Sequence, residues 1–334
     1  RLTLLRSAKT TSEDDISQAV TALGDAREAH RLAERTRKAR ERDTAAAKKR
    51  TSVEGLPPGA DPAVWQRLRM NREGTPLTNV ANVLTVLDCD PRWSSRLTYD
   101  AFALDVCLDG VPLPEEQGTR LVGKLGTDYH LDTSTNVLLE CVRATALDRS
   151  FHPIRNWLGG LKWDGTARLQ DLTLRGFGAL AQGDEDLVRL LGERFLLSMV
   201  ARVMKPGEKV DTMLVLTGKQ GMFKTTSFRT LVGQRWFANT KMDLANKDSF
   251  INLQGKWLIE FGEMAAVKAA DDNVSKGWLS AEVDRFRAPY AKRAEDHPRQ
   301  AVAGGTTNAD EFLMDPTGYR RYWPLSVRRA DLGW

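Results

Sequence analysis

Residues 214–226 read Leu-Val-Leu-Thr-Gly-Lys-Gln-Gly-Met-Phe-Lys-Thr-Thr. The apolar run Thr212–Leu216 predicts a short buried strand. Gly218 and Gly221 predict a tight loop, and the residues after Lys224 a helix. Strand, glycine loop and helix in that order cradle phosphate, because loop N–H groups and the free helix N-terminus face one point. On this reading Gly218, Gln220, Gly221, Met222, Phe223, Lys224, Thr225 and Thr226 line a bound nucleotide. Lys224 neutralises its β and γ phosphates, and the Thr225 hydroxyl holds Mg²⁺. Phe223 stands where a glycine usually precedes the lysine, which is unfavourable if that position needs a positive φ. An ordinary strand-turn-helix with a chance Lys-Thr is the competing reading.

Downstream, Lys256-Trp-Leu-Ile-Glu-Phe-Gly-Glu263 is a second apolar run carrying two acids. A nucleoside triphosphatase needs a carboxylate near Mg²⁺ and one that orients or deprotonates the attacking water. Acids ending a strand parallel to the first can reach that point. Glu263 is the preferred metal-and-water acid, with Glu260 close behind. Regular alternation places the two on opposite faces unless Gly262 breaks it. Structural ion pairing is the alternative for each.

A third apolar run, Gln300–Gly304, leads into Gly304-Gly-Thr-Thr-Asn308, and Asn308 at a strand tip can sense a γ-phosphate or hold the water; a plain turn asparagine is the alternative. A fourth run, Tyr322–Val327, follows Arg320 and Arg321. An arginine reaching a neighbouring subunit's site stabilises the transferring phosphoryl group; neutralising local acids would also explain the pair. Helical segments separate the first three runs, which implies a parallel sheet with crossovers. Between them, Asp284–Arg293 interleaves Arg285, Arg287, Lys292 and Arg293 with Phe286 and Tyr290. That suits phosphate neutralisation with base stacking, and fits an exposed hairpin equally well.

Outward from this region the chain reads as three parts: a basic helical segment (1–54), a mainly helical domain (55–205) and an α/β P-loop NTPase domain (206–334). Residues 31–50 are dense in Arg and Lys, either a solvated linker helix or a polyanion contact. Gly55–Pro62 is a breaker cluster, and helices are expected over 63–68, 78–87 with Thr78 as cap, and 186–203. Trp163-Asp-Gly predicts a turn with a buried indole, and His152-Pro153 a structural role. Net charge is +5, 41% of the 334 residues are hydrophobic, and the three Cys and four His lack metal-ligand spacing. Scattered Cys fit a reducing, cytoplasmic setting with buried thiols. No apolar run is long enough for a membrane span. The chain opens on Arg1 rather than Met, as expected of a piece of a longer protein.

Together these motifs resemble the virulence-associated protein E family of phage and mobile-element ATPases, itself similar to superfamily 3 helicases. The resemblance rests on Gly-Lys-Gln-Gly-Met-Phe-Lys-Thr-Thr, Gly-Lys-Trp-Leu-Ile-Glu-Phe-Gly-Glu, Asp-Arg-Phe-Arg-Ala-Pro-Tyr, Gly-Thr-Thr-Asn-Ala-Asp-Glu-Phe-Leu and Asp-Pro-Thr-Gly-Tyr-Arg-Arg-Tyr-Trp-Pro. Phe151–Leu158, Leu161–Leu169 and Tyr99–Phe102 add to it. It implies an AAA-like core in a homo-oligomeric ring, often a hexamer, with ATP and Mg²⁺ between subunits. Lys224, Thr225, Glu260 and Glu263 would come from one subunit and Arg320 or Arg321 from its neighbour. The Arg285–Arg293 hairpin would track single-stranded DNA in the pore, and a primase or other replication protein would be a partner. The implied activity is that of a DNA helicase or translocase. An ATP-dependent assembly switch, a DNA-binding scaffold with an inactive site, and a small-molecule kinase are the other readings.

Overall fold

The computed structural model describes residues 26, 28–38, 40–41, 56–239, 244, 253–264, 272–287, 293–308 and 320–333. The chain divides into two compact units, residues 1–94 with 116–138, and residues 95–115 with 139–334. These cuts fall elsewhere than 54/55 and 205/206, because Phe102 and Ile154 share one core with Leu214 and Leu216.

In the first unit, residues 28–38 are helical and mostly exposed. Glu34 pairs with Lys38 at 3.0 Å and Arg37 with Glu41 at 3.5 Å, the (i, i+4) pattern of a solvated helix. Arg42, Lys48, Lys49 and Arg50 lie outside the described residues. Helix α1 (Pro62–Trp65) opens on Asp61, whose carboxylate accepts from Ala63 and Val64 N–H. Helix α2 (Val80–Cys89) is capped by Asn79, which accepts from Asn82 N–H. The cap is thus one residue beyond Thr78, at the residue whose amide oxygen reaches the third amide. Helix α3 (Glu115–Tyr129) ends in a buried tyrosine whose hydroxyl donates to Asp90 at 2.7 Å. Arg92 bridges Asp90 and Asp128 at 2.6 and 2.7 Å.

The second unit carries a small sheet in the order β3-β2-β1-β4, from β1 (Leu97–Asp100), β2 (Asp105–Leu108), β3 (Val111–Pro112) and β4 (Ser150–Phe151). These strands add to the helical expectation for 55–205; strands of two to four residues carry almost no periodicity. Helix α4 (Thr135–Leu147), whose residues 135–138 belong to the first unit, precedes β4, and helices α5 (Pro153–Gly160) and α6 (Glu185–Met204) follow it. His152 caps α5 through Nδ1, which accepts from Arg155 N–H, while its other ring nitrogen bonds Gln300 at 2.8 Å. The turn at Trp163 forms, with Gly165 at φ +88, but its indole is not buried: Trp163 is 81% exposed and its ring N–H donates to Thr166 O.

The main sheet is parallel throughout. Its strands are β5 (Met213–Thr217), β6 (Phe237–Asn239), β7 (Leu258–Phe261), β10 (Val302–Thr307) and β11 (Tyr322–Ser326), in the order β11-β5-β10-β7-β6. Helix α7 (Lys224–Val232) follows β5, and α8 (Asp272–Ser280) precedes an antiparallel hairpin of β8 (Val283–Phe286) and β9 (Glu295–Pro298). Alternation splits β5 between two cores. Leu214 and Leu216 pack with Phe195, Met199 and Phe228 on one face. Met213 and Val215 pack with Ile259, Met264 and Trp278 on the other. A parallel sheet buried on both faces reads as continuous apolar runs, which is why its longer strands were visible in the sequence. Three-residue β6 was not. Among the described residues no helix is long and apolar enough to cross a membrane.

Candidate active site

The carboxyl ends of adjacent parallel strands form the crevice where open α/β sheets bind ligands. Here β5 ends at Thr217, β10 at Thr307 and β7 at Phe261, and the residues after each end carry the polar groups. After β5 the chain turns at Gly218 (φ +153) and Gly221 (φ +85) and enters α7 at Lys224. No side chain caps α7, so its first amides stay directed at the loop.

Lys224 is 8% exposed. Its ammonium donates to Gly218 O at 2.5 Å, Lys219 O at 3.1 Å and Asn308 Oδ1 at 2.7 Å. Burial lowers its pKa, and the charges of Glu263 and Glu260 oppose that. Thr225 donates its hydroxyl to Glu260 Oε1 at 2.6 Å. Thr306 donates to the same oxygen at 2.7 Å. Glu260 is fully buried, and burial holds its carboxyl above the ordinary range against the pull of those two hydroxyls.

Gly262 does break the strand. A short turn spans Gly262–Met264, with Glu263 at φ +53 and Met264 at φ +52. The two acids, which a regular strand would point apart, therefore both join the same polar cluster. Glu263 accepts from Asn308 Nδ2 at 2.9 Å, so Lys224, Asn308 and Glu263 form one chain of contacts. Left-handed conformations in bulky residues next to a polar cluster are stored strain of the kind found at functional sites.

Magnesium fits this cluster. The second carboxylate oxygen of Glu260 is buried with no hydrogen-bond partner among the described residues, beside a threonine hydroxyl bonded to the first. A hard oxygen donor set of one or two carboxylates plus phosphate oxygens is what Mg²⁺ takes. Among the described residues no group of three or more His, Cys, Asp or Glu could hold a metal by itself.

The remaining predicted residues lie elsewhere. Gln220 and Met222 are in the loop, and Thr226 is in the first turn of α7. Arg320 and Arg321 precede β11, whose register pairs Tyr322 with Met213 and Ser326 with Thr217. They are thus at the amino edge, about 16 Å along the strands from the crevice at ~3.3 Å per residue. Arg320 is exposed, and Arg321 contacts Ser280 Oγ at 3.5 Å. Of the basic hairpin residues, Arg285, Arg287 and Arg293 are exposed, and Lys292 lies outside the described residues. Arg285 pairs with Asp296 at 2.6 Å. Phe286 is buried and stacks on His297 at 4.1 Å, so it is not available to a base; Tyr290 is not described. Arg299 clamps the hairpin base, gripping Asp284 through two nitrogens at 2.5 and 2.9 Å.

Two neighbours of the cluster escaped the sequence reading. Thr306 reaches Glu260 because the register pairs Gly304 with Glu260 and Thr306 is two residues on, on the same face; the Thr-Thr doublet before Asn308 was its signal. Arg329, after β11, places its guanidinium 4.9 Å from the Phe223 ring centre, and had no signal.

The fold and site together define a class: a mixed α/β unit whose loop lysine, threonine, two glutamates and asparagine gather at the carboxyl edge of a parallel sheet. Residues 158–334, more than half of the chain, match the virulence-associated protein E-like domain, and the chain belongs to that family. No curated protein matches it. Two solved structures, described as "The A form apo structure of NrS-1 C terminal region-CTR" and "The A form apo structure of NrS-1 C terminal region-CTR(305-718)", each align with 50% of this chain. Identities are 17% and 18%, and TM-scores 0.33 and 0.32. The chain spans 40% and 39% of those two chains.

Proposed function

We propose that this protein binds and hydrolyses ATP at the carboxyl edge of its main sheet and uses the cycle to move along single-stranded DNA, as a helicase or translocase in replication of a phage or mobile element. The observation that carries the reading is the arrangement of Lys224, Thr225, Glu260, Glu263 and Asn308 at the ends of three adjacent strands, where Asn308 joins Lys224 at 2.7 Å to Glu263 at 2.9 Å and Thr225 bonds Glu260 at 2.6 Å. The parallel sheet with helical crossovers supports an AAA-like P-loop core.

Each residue has a role that its surroundings suit. The loop amides and Lys224 bind the β and γ phosphates, an electrostatic and positioning task. Thr225 and Glu260 would hold Mg²⁺, which neutralises charge on those phosphates when bound. Glu263, the more accessible acid, orients the water and takes its proton, and Asn308 links that acid to Lys224. Asn308 is thereby placed to report the γ-phosphate to both. This division gives the metal to Glu260 and the water to Glu263, and its support is the contact each acid makes. Arg320 or Arg321 acts on the site of a neighbouring copy in a ring, since each is remote from the crevice of its own chain. Arg285, Arg287, Lys292 and Arg293 contact DNA phosphates; Arg287 and Arg293 are the better candidates, because Arg285 already has Asp296. A primase or other replication protein is the expected partner.

The test is steady-state ATP hydrolysis with and without single-stranded DNA, with Lys224→Ala as control. Mg²⁺-dependent turnover that DNA raises severalfold, and that the control lacks, is the expected result. Left-handed Phe223 at the loop favours a second reading, a slow ATP-dependent assembly switch. Turnover indifferent to DNA would select it.

A further inference from the structure

Phe223 is the one bulky residue the phosphate loop holds in the left-handed region, at φ 59 and ψ 26. Glycine adopts that conformation freely and a phenylalanine does not. The surroundings must therefore impose it. The segment that does so follows β11. Val327 N–H donates to Thr217 O at 2.8 Å. Its carbonyl lies against Gly218, where an added Cβ would come within 2.6 Å of it. Ala330 N–H donates to Met222 O at 3.2 Å. Between them Arg329 sets its guanidinium over the Phe223 ring at 4.9 Å, within cation–π range.

This segment is itself held from behind. Arg328 N–H donates to Gly178 O at 3.0 Å. Gly178 has φ +68, and a Cβ there would stand 2.8 Å from Arg329 O. The backbone presenting Arg329 is thus fixed on both sides, and among the described residues no ion pair involves its guanidinium.

We propose that Arg329 is a positioning residue of the phosphate loop. Stacked on Phe223, it holds the turn that a glycine would take unaided, and so keeps Lys224 and the first amides of α7 aimed at the nucleotide phosphates. The inference rests on the ATP-binding reading. It has a consequence that an ordinary surface arginine would not: nucleotide affinity depends on Arg329 only while Phe223 is present.

The test is a double-mutant cycle on the full chain, with the affinity for a ribose-labelled fluorescent ATP read by anisotropy in Mg²⁺ and nucleotide-free thermal unfolding read in parallel. Arg329→Ala is expected to weaken binding about 3- to 10-fold, the size of a partly exposed cation–π contact. Arg329→Lys should recover part of the loss, because it keeps the cation but not the flat guanidinium. In a Phe223→Gly background, Arg329→Ala should change affinity less than twofold. An equal loss in both backgrounds, or none in the native one, overturns the proposal. Should Lys224→Ala bind as tightly as the native chain, or the native chain not bind, the ATP-binding reading fails instead. The unfolding cycle then decides the contact: coupled midpoint shifts for Phe223 and Arg329 keep it, and additive shifts remove it.

Discussion

Gly305→Ala is the substitution that most directly tests how the fold positions Glu263. Gly305 lies in β10, and a Cβ built there would sit 2.6 Å from Met264 Sδ, 3.1 Å from Met213 Sδ and 3.1 Å from Val215 Cγ2. Carbon contacts normally rest near 3.5–4.0 Å, so the closest is about 1 Å too short. Met213 and Val215 belong to β5 and are fully buried. Met264, with three rotatable bonds, is the side chain that can give. Its backbone, at φ +52, already follows a strained Glu263, so pushing Met264 moves the turn that holds the Glu263–Asn308 contact. Overpacking of this kind costs roughly 1–3 kcal/mol, and each kcal/mol lowers the unfolding midpoint by about 2–4 °C in a domain of 150–250 residues. A shift near 1 Å in a catalytic group can cost up to about 100-fold in turnover. We therefore expect a midpoint lowered by several degrees and ATP turnover reduced ~10- to 100-fold. Affinity for ATP should stay within about threefold, since the three atoms nearest the added Cβ belong to Met264, Met213 and Val215 and none to Lys224 or its loop. Thermal unfolding, single-turnover hydrolysis and nucleotide binding measure the three quantities. An unchanged midpoint with unchanged turnover would refute the packing argument, and a parallel loss of affinity would place the damage in β5 rather than at Glu263.

Three further outcomes follow. Glu260 has a folded pKa raised by burial above its ordinary 4.5, so its contribution to stability is fully present below that value and is lost as pH rises through the raised one. Midpoints measured from pH 4 to 8 without Mg²⁺ should fall less steeply for Glu260→Gln than for the native chain, and identical slopes would remove this acid from the account. Arg287→Ala should weaken single-stranded DNA binding without altering DNA-free hydrolysis, and should reduce the slope of log K against log salt by about 0.7, one phosphate's worth on a single strand; an unchanged slope takes the hairpin out of the DNA path. Cys107 and Cys141 are buried, with thiol pKa values pushed up by that burial, so a thiol reagent at pH 8 should modify Cys89 first, and simultaneous modification of all three would contradict the buried positions.

What could be read in advance follows the physics of each element. The three inner strands β5, β7 and β10 are buried along their whole length, so each shows as a largely apolar run, followed by Gly218, Gly262 and Asn308. The same rule pointed to the candidate site, because a sheet covered on both faces leaves its strand ends open. It also explains the gaps. The small sheet of β1–β4 and the three-residue β6 are too short for any period. Trp163 was expected inside on size alone, yet its turn is closed by Asp164 and Thr166, and no apolar contact was needed to make it. Cooperation between Glu260 and Glu263 could be stated only conditionally, since it depends on a left-handed residue after Gly262. Phe223 was the reverse case, a local conflict plainly visible in the sequence whose resolution was not. The conflict is met by a guanidinium more than a hundred residues away, and pattern reading has no access to such a partner. A local rule broken in a glycine-bounded turn is therefore best treated as a pointer to an unseen contact, and the Phe223–Arg329 cycle measures whether this one compensates it.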